Sequence, residues 1–308
     1  MDIFGMGLTV AGLCAFETIS SIDNAVINAE VLGTMDQKAR RWFLTWGLLI
    51  AVFLVRGVLP WLIVWFATPG LGPVQAFTAT FSNDPSILKA VDEAAPVLLS
   101  GGGTFLIFLF FHWLFLEDKN VGLPGERFFM DQGVWFYAVV SVLLVIIVWI
   151  GVKVNPYMAL GTVIGSSAFF ITHGFKQHAE ESEKKMIAGN LSDISKLFYL
   201  EVIDATFSID GVLGAFAFTL SVPLIIVGNG LGAFVVRELT IRGADRIKQY
   251  AYLKNGAMYS ILVLGLIMLA DAFGVHIPHW ASPLCTFGII GLFFWKSVLH
   301  SRANSAPA

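Results

Sequence analysis

The chain has 308 residues, of which 56% are hydrophobic and only 13% charged, with a mean hydropathy of +0.76. Soluble domains carry about 25% charged residues, so this composition excludes an ordinary soluble protein and predicts an integral membrane protein. The net charge of −3, without a basic run, excludes a nucleic-acid-binding surface. The two cysteines, Cys14 and Cys285, lie in apolar segments and give neither a disulfide framework nor a thiolate metal site.

Apolar windows of about 20 residues predict an all-α polytopic membrane protein with about nine transmembrane helices. The first window follows an amino terminus that has no basic segment, so we expect a retained span and not a cleaved signal peptide. The windows are 5–32, 42–66, 96–116, 134–152, 156–174, 196–219, 222–240, 256–275 and 281–299.

Basic residues predict how these windows are oriented. Lys38, Arg40 and Arg41 follow the first window, whereas acidic residues predominate in the loop at 67–95. Because short cytoplasmic loops are enriched in Lys and Arg, the amino terminus is predicted outside and the carboxyl terminus in the cytoplasm. The hydrophilic segment 175–196 is then a cytoplasmic linker.

Two acidic motifs with the same spacing interrupt the apolar windows. In each, an acidic residue is followed four residues later by Ser and six residues later by Asp. A carboxylate in the middle of the bilayer costs about 2.5–3.5 kcal/mol on insertion scales, so a repeated motif of this kind favours a functional site. The first motif comprises Glu17, Ser21, Asp23 and Asn24, and the second comprises Glu201, Asp204, Ser208 and Asp210.

The predicted topology places the two motifs on oppositely directed helices. A weaker match agrees, because Gly47 and Arg56 have the same separation as Gly228 and Arg237. Together these patterns predict inverted-topology repeats with the site at their interface. The predicted organisation is a first membrane repeat at 1–152, an additional span and cytoplasmic linker at 153–195, a second membrane repeat at 196–302 and a disordered tail at 303–308.

Helical spacing leaves the position of one acid in each motif open. Asp23 lies about 120° from the polar face of its helix, so either it faces a different neighbour or the helix loosens near Ser20–Ser21. Asp210 is displaced from Asp204 by the same angle, and the adjacent Gly211 favours local unwinding. The polar face of the first motif helix comprises Glu17, Ser21, Asn24 and Asn28.

Carboxylate and amide oxygens without Cys or His predict a site for a hard divalent cation, Mn²⁺, Mg²⁺ or Ca²⁺. The candidate metal ligands are Glu17, Asp23, Asn24, Glu201, Asp204 and Asp210. Residues predicted to support them or to line the ion path are Ser21, Asn28, Ser208, Arg56, Asn229 and Arg237. The two arginines either pair with acids when no ion is bound or extend to a membrane interface, and the second alternative is favoured for Arg237.

Other polar or flexible positions receive simpler interpretations. His112 and His173 are isolated in the sequence and are interpreted as packing residues near cytoplasmic helix ends. The run Gly101–Gly103 lacks the Gly-Lys-Ser/Thr of a phosphate loop and predicts close helix contact or a helix break.

The motifs Glu17-x-x-x-Ser21-x-Asp23-Asn24 and Glu201-x-x-Asp204-x-x-x-Ser208-x-Asp210 resemble the signature helices of the TerC family. The whole chain is most similar to the DUF475-type branch, within the LysE transporter superfamily. The resemblance implies an inner-membrane protein linked to manganese export and tellurium resistance. It also implies a metal path through Glu17, Asp23, Asn24, Asp204 and Asp210, whereas Gly211 departs from the small hydroxyl residue expected there.

We therefore expect a secondary transporter, not an enzyme, that exports divalent cations, most favourably Mn²⁺. The alternatives are a membrane anchor for a tellurium- or stress-resistance assembly, an intramembrane aspartyl protease and an amino-acid exporter. The expected partners are the metal ion, the lipid bilayer and, for the anchor, cytoplasmic stress-resistance proteins. The sequence leaves the oligomeric state open.

Overall fold

The computed structural model describes residues 2–82, 84–119, 121–188, 192–242 and 250–305. Every regular element in these ranges is helical, and seven of the described helices are long and apolar enough to cross a membrane. This confirms the all-α polytopic membrane fold. The predicted count of nine spans is approximate. Seven of the nine windows contain a helix that is long and apolar enough to cross a membrane, and the other two contain charges or interruptions.

The α-helices are numbered in chain order. The first part of the chain contains α1 (Ile3–Ser20), α2 (Ile22–Gly33), α3 (Gln37–Trp42), α4 (Leu48–Ile50), α5 (Leu59–Ala67), α6 (Pro73–Thr78) and α7 (Pro85–Leu116). Two π-helical segments, Phe43–Gly47 and Ala51–Val58, join α3, α4 and α5 into one rod, which we call the π-helical span (residues 37–67). The second part contains α8 (Glu126–Met130), α9 (Trp135–Val154), α10 (Pro156–Ala188), α11 (Asp193–Ala215), α12 (Val222–Arg242), α13 (Leu253–Ala272) and α14 (Ala281–Ser305).

Two helix boundaries differ from the predicted windows. Helix α7 begins at Pro85 and not at 96, because Asp84 caps it by accepting a hydrogen bond from Ser86 N at 2.9 Å. Pro96 therefore lies inside the helix. Helix α10 continues to Ala188, so the hydrophilic segment is helical up to that residue and is not a loop from 175 onward.

Helix α7 forms the centre of the bundle. In the most apolar stretch of α7, 67% of the residues are buried, whereas in that of α9 only 22% are buried. Helix α9 therefore lies at the periphery. Helices α10 and α13 pack along α7. The glycine run allows this close approach, with Gly101 against Gly161 and Gly165 and Gly103 against Gly265. The predicted close helix contact at this run is confirmed.

The two motif helices pack against each other in opposite directions. Phe218 lies against Gly12, Gly214 against Phe16 and Gly211 against Glu17, so the numbering of α11 falls as that of α1 rises. By contrast, α12 runs parallel to α1, because Gly228 contacts Leu13 and Gly232 contacts Glu17. This packing brings both acidic motifs into one region of the bundle.

Candidate functional site

Glu17 lies at the centre of this region and is completely buried. Its Oε1 accepts a hydrogen bond from Arg56 Nε at 2.8 Å and lies 2.7 Å from Arg56 Nη2. Ser21, one turn further along the chain, donates its hydroxyl to the same oxygen at 2.9 Å. Three donor groups therefore converge on one oxygen, which holds the carboxylate in place.

Arg56 also reaches the second motif. Its Nη1 lies 3.5 Å from Asp204 Oδ2, so one guanidinium bridges acids from α1 and α11. The arginine is only 2% exposed and lies in the π-helical segment Ala51–Val58. Such π-helical turns occur frequently at functional sites. A buried cation here compensates two acidic side chains that would otherwise repel each other.

Glycines let neighbouring helices approach the Glu17 side chain closely. A Cβ at Gly211 would overlap Glu17 Oε2, and Gly232 of α12 leaves space for the Glu17 side-chain carbons. Helix α11 runs without interruption through Gly211. The predicted unwinding at that glycine is therefore wrong, because the residue serves close packing against an acid and not a helix break.

The first motif helix breaks at Ser21, which separates α1 from α2. Ser21 has φ −93° and ψ 8°, outside regular helical values, although its N–H still donates to the Glu17 carbonyl oxygen at 3.1 Å. The backbone thus follows the predicted alternative in which the helix loosens near Ser20–Ser21. The side chains of Asp23 and Asn24 lie outside the described part of the structure.

The second motif contributes three carboxylates with different surroundings. Asp204 borders a cavity of ≈ 40 Å³ that Arg56 and Asn28 also line. Asp210 is buried, and Glu201 is half-buried with its Oε1 shielded from solvent and without a hydrogen-bond partner. The hydroxyl of Ser208 donates to the Asp204 backbone carbonyl oxygen, so its proton is used inside the helix.

Arg237 lines the same cavity as Asp204. Its Nε is buried and has no hydrogen-bond partner in the described structure, whereas the residue as a whole is half-buried. Its extension to a membrane interface stays a prediction. Asn229, two turns earlier on α12, is completely buried.

Buried polar atoms without partners are concentrated around these residues. Among the described side chains they include Glu17 Oε2, Glu201 Oε1, Asn28 Oδ1, Arg237 Nε and both amide atoms of Asn229. Each unsatisfied buried polar group costs about 1–3 kcal/mol, so this density of them indicates a place for a polar ligand or water.

The described side chains do not form a ready-made metal cage. No group of three or more His, Cys, Asp or Glu side chains among them lies close enough together to hold a metal ion. Glu17 and Asp204 do not meet as two ligands of one cage, because the guanidinium of Arg56 lies between them. A cation would have to displace this guanidinium to bind both acids.

The sequence matches the family described as "Protein of unknown function (DUF475)" over residues 22–304, which is most of its length. The chain belongs to the DUF475 family. Its curated relative "Uncharacterized membrane protein YceF" from Bacillus subtilis (strain 168) is 31% identical over 80 residues. That match covers 26% of this DUF475 chain and 31% of the relative, so the chain spans less than a third of the relative's length. No solved structure matches the chain.

This DUF475 protein has a second polar cluster at the carboxyl end of α7, which the sequence interpretation missed. His112 and His173 are not isolated, since their ring centroids lie 3.7 Å apart. Glu117 Oε2 forms an ion pair with Lys254 Nζ at 2.8 Å, and its Oε1 lies 3.7 Å from His112 Nδ1. Burial raises the pKa of the Glu117 carboxyl, but the neighbouring His112 and Lys254 outweigh it and lower the pKa to about 2.

A buried carboxylate close to this cluster joins α8 to α13. Glu126 Oε2 accepts hydrogen bonds from Asn255 Nδ2 at 2.8 Å and from Leu123 N at 3.0 Å, and its Oε1 accepts one from Tyr259 Oη at 3.0 Å. The contacts with Asn255 and Tyr259 join residues far apart in the chain, so no local spacing pattern could have revealed them. Their satisfied hydrogen bonds indicate a structural role, in contrast to the unsatisfied atoms around Glu17.

Proposed function

We propose that this DUF475 membrane protein is a secondary transporter that exports divalent cations, most favourably Mn²⁺, through the site between the two motifs. The observation that carries the proposal is the convergence of Glu17 and Asp204 on the buried Arg56. The two acids come from antiparallel helices of two related sequence segments, which is how inverted repeats build a substrate site.

Arg56 supplies one positive charge between Glu17 and Asp204, which balances the two acids electrostatically. A divalent cation would bring a larger charge and bind the oxygens directly once the arginine moves aside. Glu17 Oε2 and Asn28 Oδ1, both without hydrogen-bond partners, are oxygens of the kind that hard cations prefer.

Two further features favour Mn²⁺ and gradient-driven transport. The resemblance to the TerC family favours Mn²⁺ over Mg²⁺ and Ca²⁺. The chain has no phosphate loop, so we infer that exchange for protons drives export, with the same carboxylates taking up a proton when the metal leaves.

Metal flux through the purified protein tests this proposal. Proteoliposomes loaded with a Mn²⁺-sensitive dye would be compared for wild type, Glu17→Gln and Asp204→Asn, with Asp23→Asn and Asp210→Asn as two further motif variants. We expect Mn²⁺ flux in the wild type and loss of flux in the four motif variants. Asp92→Asn, which removes an exposed carboxylate at the start of α7, is the control that should retain flux.

Competition identifies the substrate class in the same liposomes. Excess Mg²⁺, Ca²⁺ and lysine would each be added to the Mn²⁺ assay, and only metal ions should compete. Wild-type liposomes that carry no divalent cation, or motif variants that transport as well as wild type, would contradict the proposed function.

A further inference from the structure

An open groove leads from one end of the molecule toward the second motif. It has a volume of ≈ 710 Å³ and lies between the π-helical span, of which α3 is the first helix, and α11. Asp36 and Lys38 are exposed and mark its mouth together with Asp193, whereas Glu201 is half-buried and its Oε1 is shielded from solvent. A hydrogen bond of 3.1 Å from Asp36 N to Asp193 Oδ2 ties the two walls together at the mouth.

A single glycine separates this groove from the cavity beside Arg56. Gly47 packs directly against Glu201 Oε1, so closely that a Cβ at Gly47 would overlap this oxygen. The same glycine lines the ≈ 40 Å³ cavity together with Asp204 and Asn28. Glu201, which lines the groove, therefore contacts Gly47, which lines the cavity. The glycine has no side chain that would separate the two.

Unsatisfied polar atoms lie on both sides of Gly47. Glu201 Oε1 on the groove side is buried and has no hydrogen-bond partner in the described structure. On the cavity side, Asn28 is only 6% exposed and its Oδ1 has no partner either. These two oxygen acceptors without donors lie one on the groove side and one on the cavity side of Gly47, as successive binding positions for a cation would.

The charge of the groove favours the same occupant. Three carboxylates, those of Asp36, Asp193 and Glu201, face a single ammonium group, that of Lys38. A cleft with an excess of one sign of charge concentrates ions of the opposite sign. The other six lining residues are apolar, and it is the carboxylate of Glu201, which is costly to expose to hydrocarbon, that favours water over a lipid chain in this groove.

We propose that this groove is a hydrated access path, along which a divalent cation reaches Glu201 and passes Gly47 to the cavity beside Asp204. This inference rests on the proposed transport function and assigns Glu201 a role separate from Glu17 and Asp204. Glu201 captures the cation from the groove, whereas the inner acids hold it during transport. Gly47 lets Glu201 lie directly against the wall of the cavity because it has no side chain.

Transport kinetics test the capture role. In the Mn²⁺ liposome assay, Glu201→Gln should raise the KM by about tenfold with a smaller change in kcat, since uniform binding is weakened. Gly47→Ala should reduce kcat, because its Cβ displaces Glu201 from the wall of the cavity. Asp92→Asn should leave both constants unchanged. A Glu201→Gln variant with wild-type KM would overturn the capture role.

Cysteine accessibility tests the water content of the groove independently of Mn²⁺ transport. In a background of Cys14→Ala and Cys285→Ala, single cysteines would be placed at Lys38 (groove mouth), Leu197 (groove wall) and Val145 (exposed on peripheral helix α9). A positively charged thiol reagent should modify Lys38→Cys and Leu197→Cys at rates within about tenfold of each other and leave Val145→Cys unmodified.

The two failures can be told apart. Unmodified Leu197→Cys together with normal wild-type Mn²⁺ flux would mean that lipid fills the groove, and would overturn the access path while the transport function stands. Absence of flux in the wild type would overturn the transport function and the access path with it.

Discussion

Glu17 has one oxygen held by three donors and another, Oε2, that has none among the described residues. The pairing with Arg56 places a positive charge beside a carboxylate that is completely buried in an apolar bundle. Removal of one partner of a buried ion pair costs about 3–5 kcal/mol, because the other charge is left uncompensated. A bound cation is the natural substitute for the missing charge.

The Arg56→Gln variant tests this substitution. Without divalent ions, we expect a melting temperature clearly below that of wild type in detergent, because Glu17 and Asp204 then repel each other. Mn²⁺ should raise the melting temperature of Arg56→Gln more than that of wild type, since no guanidinium has to be displaced. Lys254→Gln is the matched control: it also removes an ion-pairing cation, but Mn²⁺ should not restore its stability. Equal Mn²⁺ responses in wild type and Arg56→Gln would contradict the displacement model.

Gly211 gives a second residue-level prediction. Gly211→Ala should push the Glu17 carboxylate away from Arg56, since its Cβ would overlap Oε2, and overpacking of this kind costs about 1–3 kcal/mol. Both the melting temperature and the affinity for Mn²⁺ should fall. Gly7→Ala on α1 meets nothing within 4 Å and should retain wild-type values. Matching results for the two variants would remove the role assigned to Gly211.

At the level of elements, the sequence predicted helices better than it predicted their irregularities. Mean hydropathy over about 20 residues locates a membrane span. A helix of that length crosses the hydrocarbon core with its backbone hydrogen bonds made internally, and its side chains must be apolar. It does not reveal the π-helical segments that carry Gly47 and Arg56, which depend on packing against α11 and α12. The start of α7 was missed because its first three turns carry polar residues, although Asp84 and Pro85 mark the cap.

The ion pair at the end of α7 predicts a pH dependence of stability. The folded-state pKa of Glu117 is about 2, below its ordinary value of 4.5, so the group stabilises the fold above pH 4.5 and loses that contribution as the pH falls toward 2. Glu117→Gln should therefore lower the melting temperature at pH 7, and the difference from wild type should shrink between pH 4.5 and pH 2.

A surface pair provides the control for this experiment. Glu93 lies 3.6 Å from Lys89, and both side chains are largely exposed, so Glu93→Gln should change the melting temperature little at any pH. A Glu117→Gln effect that stays constant down to pH 3 would show that lost packing, and not lost charge, causes it.

At the scale of the whole molecule, the sequence located the acids and offered Arg56 as a partner for them, but it did not show which acids this arginine joins. Repetition of the acid, Ser and Asp spacing was sufficient to select Glu17 and Asp204 as candidates. The bridge through Arg56 depends on how three helices from distant parts of the chain pack, and no local pattern contains that information. The groove beside Glu201 was missed for the same reason, because its two walls are far apart in the sequence.

The number of membrane crossings is the remaining whole-molecule question, and length favours nine. Helix α11 has 23 residues, which at 1.5 Å per residue gives about 34 Å, enough for a hydrocarbon core of about 30 Å. The π-helical span, residues 37–67, is longer still. Helix α11 falls short of the apolar standard because it carries charged residues of the site, whereas the apolar helix within the π-helical span, Leu54–Ala67, falls short in length. Charges that face a bundle interior do not prevent a helix from crossing the membrane.

Nine crossings predict that the two ends of the π-helical span lie on opposite faces of the membrane. In the background without native cysteines, Lys38→Cys places an exposed thiol in the first turn of this rod, and Val74→Cys places one beyond its far end. In intact cells, an impermeant thiol reagent should modify Val74→Cys but not Lys38→Cys, and permeabilisation should expose both, because the predicted orientation puts residue 38 in the cytoplasm. Modification of both thiols in intact cells, or of neither, would mean that the rod enters and leaves on one side. Arg56 would then sit on a re-entrant segment, and the two motif helices could not be halves of inverted repeats related through the membrane plane.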